Sequence, residues 1–332
     1  MQIPSNPSRQ RLAKAATGLY EPRPDSPRPL GARRTGRLRA GCAQALRSLL
    51  LAVIILATPA PAKAQTPAFQ FSFIDFPGAV ETVPWGINDR TQIVGSYRDE
   101  TGTHGFLLQD GQFTPIDVPG ARTTWAFAIN NAGQIVGAYE NDNEVSGFLL
   151  ADGQFTNIRA SDTGLTGVHA ISHSGHMAGS YWAGFDLGIL GFLMRDGQVT
   201  SIRYPDAQTT QVYDVNDQGA TVGFYVDREG RTHGFLQRET EFKSFDIPGA
   251  YFTAAQGINA SYQIVGNYYD DQGSHGFLLD EGRLTVIDIP GHGVACHRIN
   301  SSGQIVGNYG SRGFLAGPTK KVRAPKERRY EK

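Results

Sequence analysis

A four-residue pattern returns along this chain at a nearly constant step. It reads Asp75-Phe76-Pro77-Gly78, Asp117-Val118-Pro119-Gly120, Asp246-Ile247-Pro248-Gly249 and Asp288-Ile289-Pro290-Gly291, and Arg159 and Arg203 stand at the phase of the Asp in two intervening units. The steps between these six positions are 42, 42, 44, 43 and 42 residues. Two further markers keep the period. A Gly inside an apolar run (Gly95, Gly137, Gly179, Gly223, Gly266, Gly307) is followed two residues later by Tyr97, Tyr139, Tyr181, Tyr225, Tyr268 and Tyr309, and a Gly-Phe pair recurs at Phe106, Phe148, Phe192, Phe235, Phe277 and Phe314. A repeat of this length is one supersecondary unit that cannot bury its apolar face alone, so the units must pack against one another.

Each unit divides into four short strands. In the second they are expected at residues 126–129, 134–139, 147–150 and 154–158, with tight turns at Asn130-Asn131-Ala132-Gly133 and Asp152-Gly153. Asp-Gly between alternating apolar runs marks a hairpin, because both residues tolerate positive φ. Four strands per unit, six times over, predict an all-β chain folded as a six-bladed β-propeller of four-stranded blades. Residues 69–76 (FQFSFIDF) match a fourth strand with no others before it, while the sixth unit supplies three strands and stops at Ala316-Gly317. The N-terminal strand is therefore expected to complete the last blade and close the ring, leaving no open edge. An open solenoid would need end caps, and none is visible. The repeated Gly, Tyr and Phe are expected to pack, each Gly making room for an aromatic ring from the adjacent sheet.

Charge divides the chain into three parts. Residues 1–64 and 318–332 carry +9 and +5, whereas residues 65–317 hold 13 Lys/Arg against 27 Asp/Glu. So acidic a repeat region is not built to hold a phosphate backbone, which excludes nucleic acid as its partner. Within residues 1–64 a leader rich in Pro, Arg and Ser precedes the uncharged ten-residue run SLLLAVIILA, flanked by Arg47 and by Ala62-Lys63-Ala64. A positive flank, a short apolar core and small residues at the cleavage positions read as a signal peptide. The run rises only about 15 Å, half of a hydrocarbon core, so it is too short to span. The mature chain is expected to begin at Gln65, to lack a transmembrane segment and to reach the periplasm or the extracellular space. The basic tail, residues 318–332, is expected to be disordered. Cleavage would remove Cys42 and leave Cys296 as the only thiol, so no intramolecular disulfide can form. The alternating apolar setting of Cys296 suggests a buried, inert group.

These units, with their Ile-Asn turn, their Gln-Ile-Val-Gly strand and His104-Gly105-Phe106, His233-Gly234-Phe235 and His275-Gly276-Phe277, resemble the HAF family of bacterial extracellular repeats over residues 71–315. Gly replaces the Ala of the family's His-Ala-Phe tripeptide. The third unit departs most, with Leu190 before Gly191-Phe192, Ser172 in place of the Asn, and Met177-Ala178 in its second strand. The resemblance implies secretion and repeats, and brings no catalytic residues with it.

Strand direction puts the short Gly/Asn-rich turns on one face and the longer, variable connections on the other, where binding residues usually ride. Those connections carry Asp99, Glu100, Glu140, Asp142, Glu144, Asp186, Asp227, Glu229, Asp270 and Asp271, which predicts an acidic face. The innermost strand varies where the rest repeats. One position reads Trp85, Phe127, His169, Tyr213, Gln256 and His297, and the next reads Gly86, Ala128, Ala170, Asp214, Gly257 and Arg298. A central pocket would be lined there. The connection from Trp182 to Leu190 also places Trp182, Phe185, Leu187 and Ile189 where polar residues are expected, a sign of a contact surface. The candidate ligand-binding residues are Trp125, His169, Trp182, Phe185, Asp186, Tyr213, Asp214, His297 and Arg298, the aromatics as stacking surface and the charged groups as polar contacts.

Signals for catalysis are thin. The repeat region has no phosphate-binding Gly loop, Gly-Xaa-Ser-Xaa-Gly, His-Glu-Xaa-Xaa-His or EF-hand loop. The His residues before Gly-Phe point apart on a ring and are read as hydrogen-bonded structural groups. Each Asp before Xaa-Pro-Gly is read as an acceptor of backbone N–H in its turn. His173 and His176 have a two-ligand spacing but flank a tight turn without a third ligand. No catalytic residue, metal site or cofactor is assigned, calcium being left open. The pattern points to a non-catalytic binding module for a glycan or another cell-surface component. The alternatives are a polysaccharide-acting hydrolase or lyase, which would need two carboxylates about 5–9.5 Å apart, and an envelope protein-interaction scaffold.

Overall fold

The computed structural model describes residues 69–142, 144–162 and 165–319; the expected signal peptide and the tail from residue 320 lie outside them. Among the described residues the secondary structure is all β, without a helix, in 24 strands. β1 is Phe69–Ile74, and five sets of four strands follow. β2–β5 are Glu81–Ile87, Ile93–Arg98, Thr103–Gln109 and Gln112–Ile116; β6–β9 are Thr123–Ile129, Ile135–Glu140, Val145–Ala151 and Gln154–Ile158. β10–β13 are Thr166–Ile171, Met177–Trp182, Ile189–Arg195 and Gln198–Ile202; β14–β17 are Thr209–Val215, Thr221–Val226, Thr232–Arg238 and Glu241–Phe245. β18–β21 are Phe252–Ile258, Ile264–Asp270, Gly273–Asp280 and Arg283–Ile287, and β22–β24 are Val294–Ile299, Ile305–Tyr309 and Arg312–Pro318.

Each set is an antiparallel meander. The last three strands are completed by the first: β1 pairs with β24, Phe69 opposite Pro318 and Ile74 opposite Gly313, giving the order β1-β24-β23-β22. β10–β13 form a second four-stranded sheet, but β2–β9 and β14–β21 count as sheets of eight rather than the separate fours expected. A single parallel residue pair joins each, Thr103 with Thr123 and Thr232 with Phe252, where the third strand of one unit and the first of the next begin side by side. The type of the hairpin turns is as expected, with Asp110 at φ 50° and Gly111 at φ 77°.

The repeated aromatics form the core. All six Phe of the Gly-Phe pairs are at most 1% exposed. The ring that each Gly accommodates comes from the next strand of the same sheet, not from the adjacent sheet. Gly95 lies opposite Phe106, and a Cβ there would sit 2.2 Å from the Val83 carbonyl oxygen and 2.6 Å from the Phe106 ring. Backbone on one side and a ring on the other leave space for hydrogen alone. Tyr97 stacks on Phe76 and Tyr225 on Tyr204, each at 3.6 Å between centroids. Cys296 is a buried free thiol, and burial pushes its pKa well up.

Two side-chain devices recur, one between neighbouring units and one within a unit. In the first turn, Asn88 Oδ1 accepts the N–H groups of Arg90 and Gln92, and Asn88 Nδ2 donates to the carbonyl of Asn130 in the next unit. Asn130, Asn216 and Asn259 reach Ser172, Asn259 and Asn300 in the same way, and Asn300 returns to the Asn88 carbonyl at 3.1 Å, so the last unit bonds to the first. Ser172 has no amide to donate; Asp217 spans that junction by accepting the N–H groups of His173 and Ser174.

The second device corrects the expected role of the repeated Asp. The turn N–H at Val118 and Ile247 goes to a Thr hydroxyl, and the Asp carboxylate holds the His before Gly-Phe instead. His104 with Asp117, His233 with Asp246 and His275 with Asp288 are all 2.9 Å apart through Nδ1. Arg312 replaces the His in the sheet that β1 completes, and it pairs with Asp75.

Candidate ligand-binding site

Six β-bulges shape the innermost surface. In every first strand the register with the second slips by one residue, and the residues left over are Trp85, Phe127, His169, Tyr213, Gln256 and His297. A bulged residue is unpaired and re-aimed, and all six line one cavity together with Arg298. Ring follows ring around it: His297 to Trp85 at 4.2 Å, Trp85 to Phe127 at 5.7 Å, Phe127 to His169 at 5.5 Å and His169 to Tyr213 at 5.3 Å. The second strands anchor them. Trp85 Nε1 donates to Ser96 Oγ and His297 Nε2 to Asn308 Oδ1.

The following position holds Gly or Ala in four units and a buried ion pair in the other two. Asp214 is 5% and Arg298 8% exposed. The Arg298 guanidinium contacts the Asp214 carboxylate and donates to the carbonyls of Tyr213 and His169. Asp214 also accepts the N–H groups of Val215 and Ile258, both at 2.8 Å. Burial raises the Asp214 carboxyl above its ordinary value, and Arg298 with the two N–H groups opposes that rise. Burial, with Arg298 alongside, holds His297 down at about 4, so this imidazole is neutral at pH 7.

Arg298 closes the centre. The cavity bounded by the bulged rings is about 20 Å³, room for about one water. A second space of about 60 Å³ lies toward the Asn turns, lined by Asp214 and Arg298 and by Asp89, His173 and Asp217. His169, Tyr213, Asp214, His297 and Arg298 are thus brought together at the centre, where the two spaces they line hold only about 20 and 60 Å³. Asp214, saturated by Arg298 and backbone, is not placed to move protons. His173 Nδ1 accepts the Asn131 N–H and its Nε2 donates to Asp89, while His176 bonds Ser174, so the two His rings do not converge. Among the described residues, no group of three or more His, Cys, Asp or Glu could hold a metal ion.

The other candidates lie elsewhere. Trp125 is half-buried in a cluster with Trp85, Phe127 and Leu165. Against expectation, Trp182 ends β11 and is half-buried, and Ile189 opens β12 and is buried; Phe185 and Asp186 sit on the connection between these strands, which Ala183 and Gly188 close by backbone hydrogen bonds. Phe185 is 94% exposed, with Trp182 edge-on at 5.6 Å and Leu187 also exposed. Part of the acidic face is ion-paired. Asp142 pairs with Arg122, Glu144 with Arg159, Asp227 with Arg231 and His233, and Asp270 with His275. Sequence reasoning missed a groove of about 560 Å³ beside Arg203, Tyr204, Asp206, Gln208 and Arg228. Its signal was Arg203 at a position where four units carry Asp.

No family model matches the chain, and no curated protein does. Among solved structures, a streptogramin B lyase is 9% identical, over 75% of this chain and 98% of its own, with a TM-score of 0.47. TolB from Acinetobacter baumannii is 14% identical, over 70% of this chain and 65% of its own, with a TM-score of 0.49. The Aleuria aurantia lectin bound to Fucα1-6GlcNAc is 11% identical, over 78% of this chain and 98% of its own, at 0.43. Likenesses this distant assign the chain no function.

Proposed function

We propose that the chain is an exported six-bladed β-propeller of the HAF-repeat type that binds a glycan or another cell-surface component without transforming it. Closure is supported by the pairing of β1 with β24 and by the bond from Asn300 back to Asn88. Export rests on the apolar run before Ala62-Lys63-Ala64. Binding rests on one observation above all: Phe185, on the connection from β11 to β12, is 94% exposed, with its ring edge-on to the half-buried Trp182 that ends β11. A ring held out in this way suits a ligand face. Asp214, held by Arg298 and by the N–H groups of Val215 and Ile258, supports binding over hydrolysis at the centre.

The test is a glycan panel titrated with the exported chain and with Trp182→Ala/Phe185→Ala. Binding is expected to fall about tenfold or more, in line with interface anchors, while the melting temperature holds. Unchanged binding in the double variant, or turnover of a polysaccharide, would overturn the reading. Mass spectrometry of the secreted protein should find Gln65 at its N-terminus.

A further inference from the structure

The Phe185 connection borders the groove described above. A Cβ on Gly188 would sit 3.2 Å from the Gln208 carbonyl oxygen, so this loop abuts the connection from β13 to β14. Gln208 Nε2 in turn donates to the Arg228 carbonyl at 2.9 Å, tying that connection to the loop between β15 and β16. The β13–β14 and β15–β16 connections line an open groove of about 560 Å³, a volume in the range of ligand pockets, and the Phe185 loop runs alongside it at Gly188. Tyr204 in its lining is held flat by its stack on Tyr225.

Charge on this face is distributed unevenly. Arg98, Arg122, Arg159, Arg228, Arg231 and Arg312 each engage a carboxylate. Arg203 does not: its guanidinium donates to the Ala207 carbonyl at 3.3 Å and has no carboxylate partner among the described residues. Asp206, the carboxylate in the groove lining, is taken by Arg228 at 2.6 Å. The groove therefore presents one exposed guanidinium without a counter-charge, beside the Tyr204 ring and bordered by the loop that carries Phe185.

The geometry points to this groove as a binding site for acidic saccharides, with Arg203 taking the uronate carboxylate and Phe185 and Trp182 facing the sugar rings. The inference rests on the glycan reading above and narrows it. A guanidinium fork matches a carboxylate through two parallel hydrogen bonds, whereas a neutral sugar leaves the fork unmatched. A phosphate polymer is held by several clustered cations, and here a single one is open. Asp186, exposed at the loop tip, is the carboxylate that works against an anion.

The experiment titrates an oligogalacturonate and a neutral glucan oligosaccharide of equal length against wild type, Arg203→Gln, Asp186→Asn and Trp182→Ala/Phe185→Ala, with inorganic polyphosphate as a charge control. Wild type is expected to favour the oligogalacturonate about tenfold or more. Arg203→Gln should erase that preference without moving the melting temperature, because the side chain is exposed. Asp186→Asn should preserve or strengthen it. Equal binding of the two saccharides, both weakened by Trp182→Ala/Phe185→Ala, would overturn this inference and leave the glycan reading standing. Binding of neither would overturn both. A preference indifferent to Arg203→Gln, or polyphosphate binding as tight as oligogalacturonate, would remove the groove assignment.

Discussion

Replacing Arg298 by Met keeps much of the side chain's length and removes its charge. Asp214 would then remain buried with two backbone N–H donors and no cation, and the carbonyls of His169 and Tyr213 would lose their Arg298 donor. Stripping one partner from a buried ion pair costs about 3–5 kcal/mol. The two retained N–H bonds favour the lower end, and loss of the two donations from Arg298 to backbone carbonyls adds about 1 kcal/mol. The expected loss is about 4 kcal/mol, or on the order of 10 °C in melting temperature for a domain of this size. The dependence on pH is the sharper check. Burial already raises Asp214 in the wild type, and without Arg298 that rise is larger. A carboxyl whose folded pKa exceeds its unfolded value of about 3.9 binds its proton more tightly in the folded state, so stability is lost as pH rises between the two values. Arg298→Met should lie closest to wild type near pH 4 and furthest below it at neutral pH. Asp214→Ala/Arg298→Met leaves neither charge unpaired and should be more stable than Asp214→Ala alone. Urea unfolding of the wild type, the two single variants and the double variant at acid and neutral pH decides the matter. Single losses below about 1 kcal/mol, far short of a broken buried pair, or a gap indifferent to pH, would refute the reasoning.

Deleting residues 69–76 should expose the edge of β24 and remove the buried Phe69 and Ile74. At about 1.5–3 kcal/mol per buried side chain the cost is about 5 kcal/mol, and an unchanged unfolding midpoint would count against ring closure. His233 and His275 each lie between two carboxylates, and a neutral imidazole can donate to only one of them. Desolvation works to lower both groups, but Asp227 and Asp246, and Asp288 and Asp270, outweigh it and raise them. Their contribution is therefore complete below the unfolded value of about 6.5 and is lost as pH rises through the folded value. Between about pH 6 and pH 8 wild type should lose more stability than His233→Gln/His275→Gln, and parallel curves would dismiss the clasps. Gly137→Ala would place a Cβ 1.9 Å from the Trp125 carbonyl oxygen. Overpacking of this kind costs on the order of 3 kcal/mol, and thermal melting that shifts by less than a degree or two would show that the backbone yields.

Periodicity made the strands and the shared last sheet legible, because a repeat states its own phase and a spare fourth strand at one end matches a missing one at the other. Bulges were harder to see. β6 begins at Thr123, three residues before the boundary expected from alternation, since the bulge at Phe127 interrupts the very pattern that marks a strand. Asp214 and Arg298 stood out as polar residues on an apolar strand, yet nothing local says that groups 84 positions apart satisfy one another. The His–Asp clasps were readable in principle. His and Asp stand 13 residues apart in three units, and Ser146 with Arg159 and Leu190 with Arg203 replace both members in two others. Each motif considered alone hides that joint variation.

Because Phe69 lies opposite Pro318 on antiparallel strands, the two ends of the repeat region sit side by side, on the side of the tight turns. A tether at either end would therefore leave the face of the long connections unobstructed. The mechanical consequence is less forgiving. Tension applied between these ends acts on the pairs of β1 and β24 in succession, from Phe69–Pro318 inward to Ile74–Gly313, so the seam unzips one pair at a time where shear would have loaded all six together.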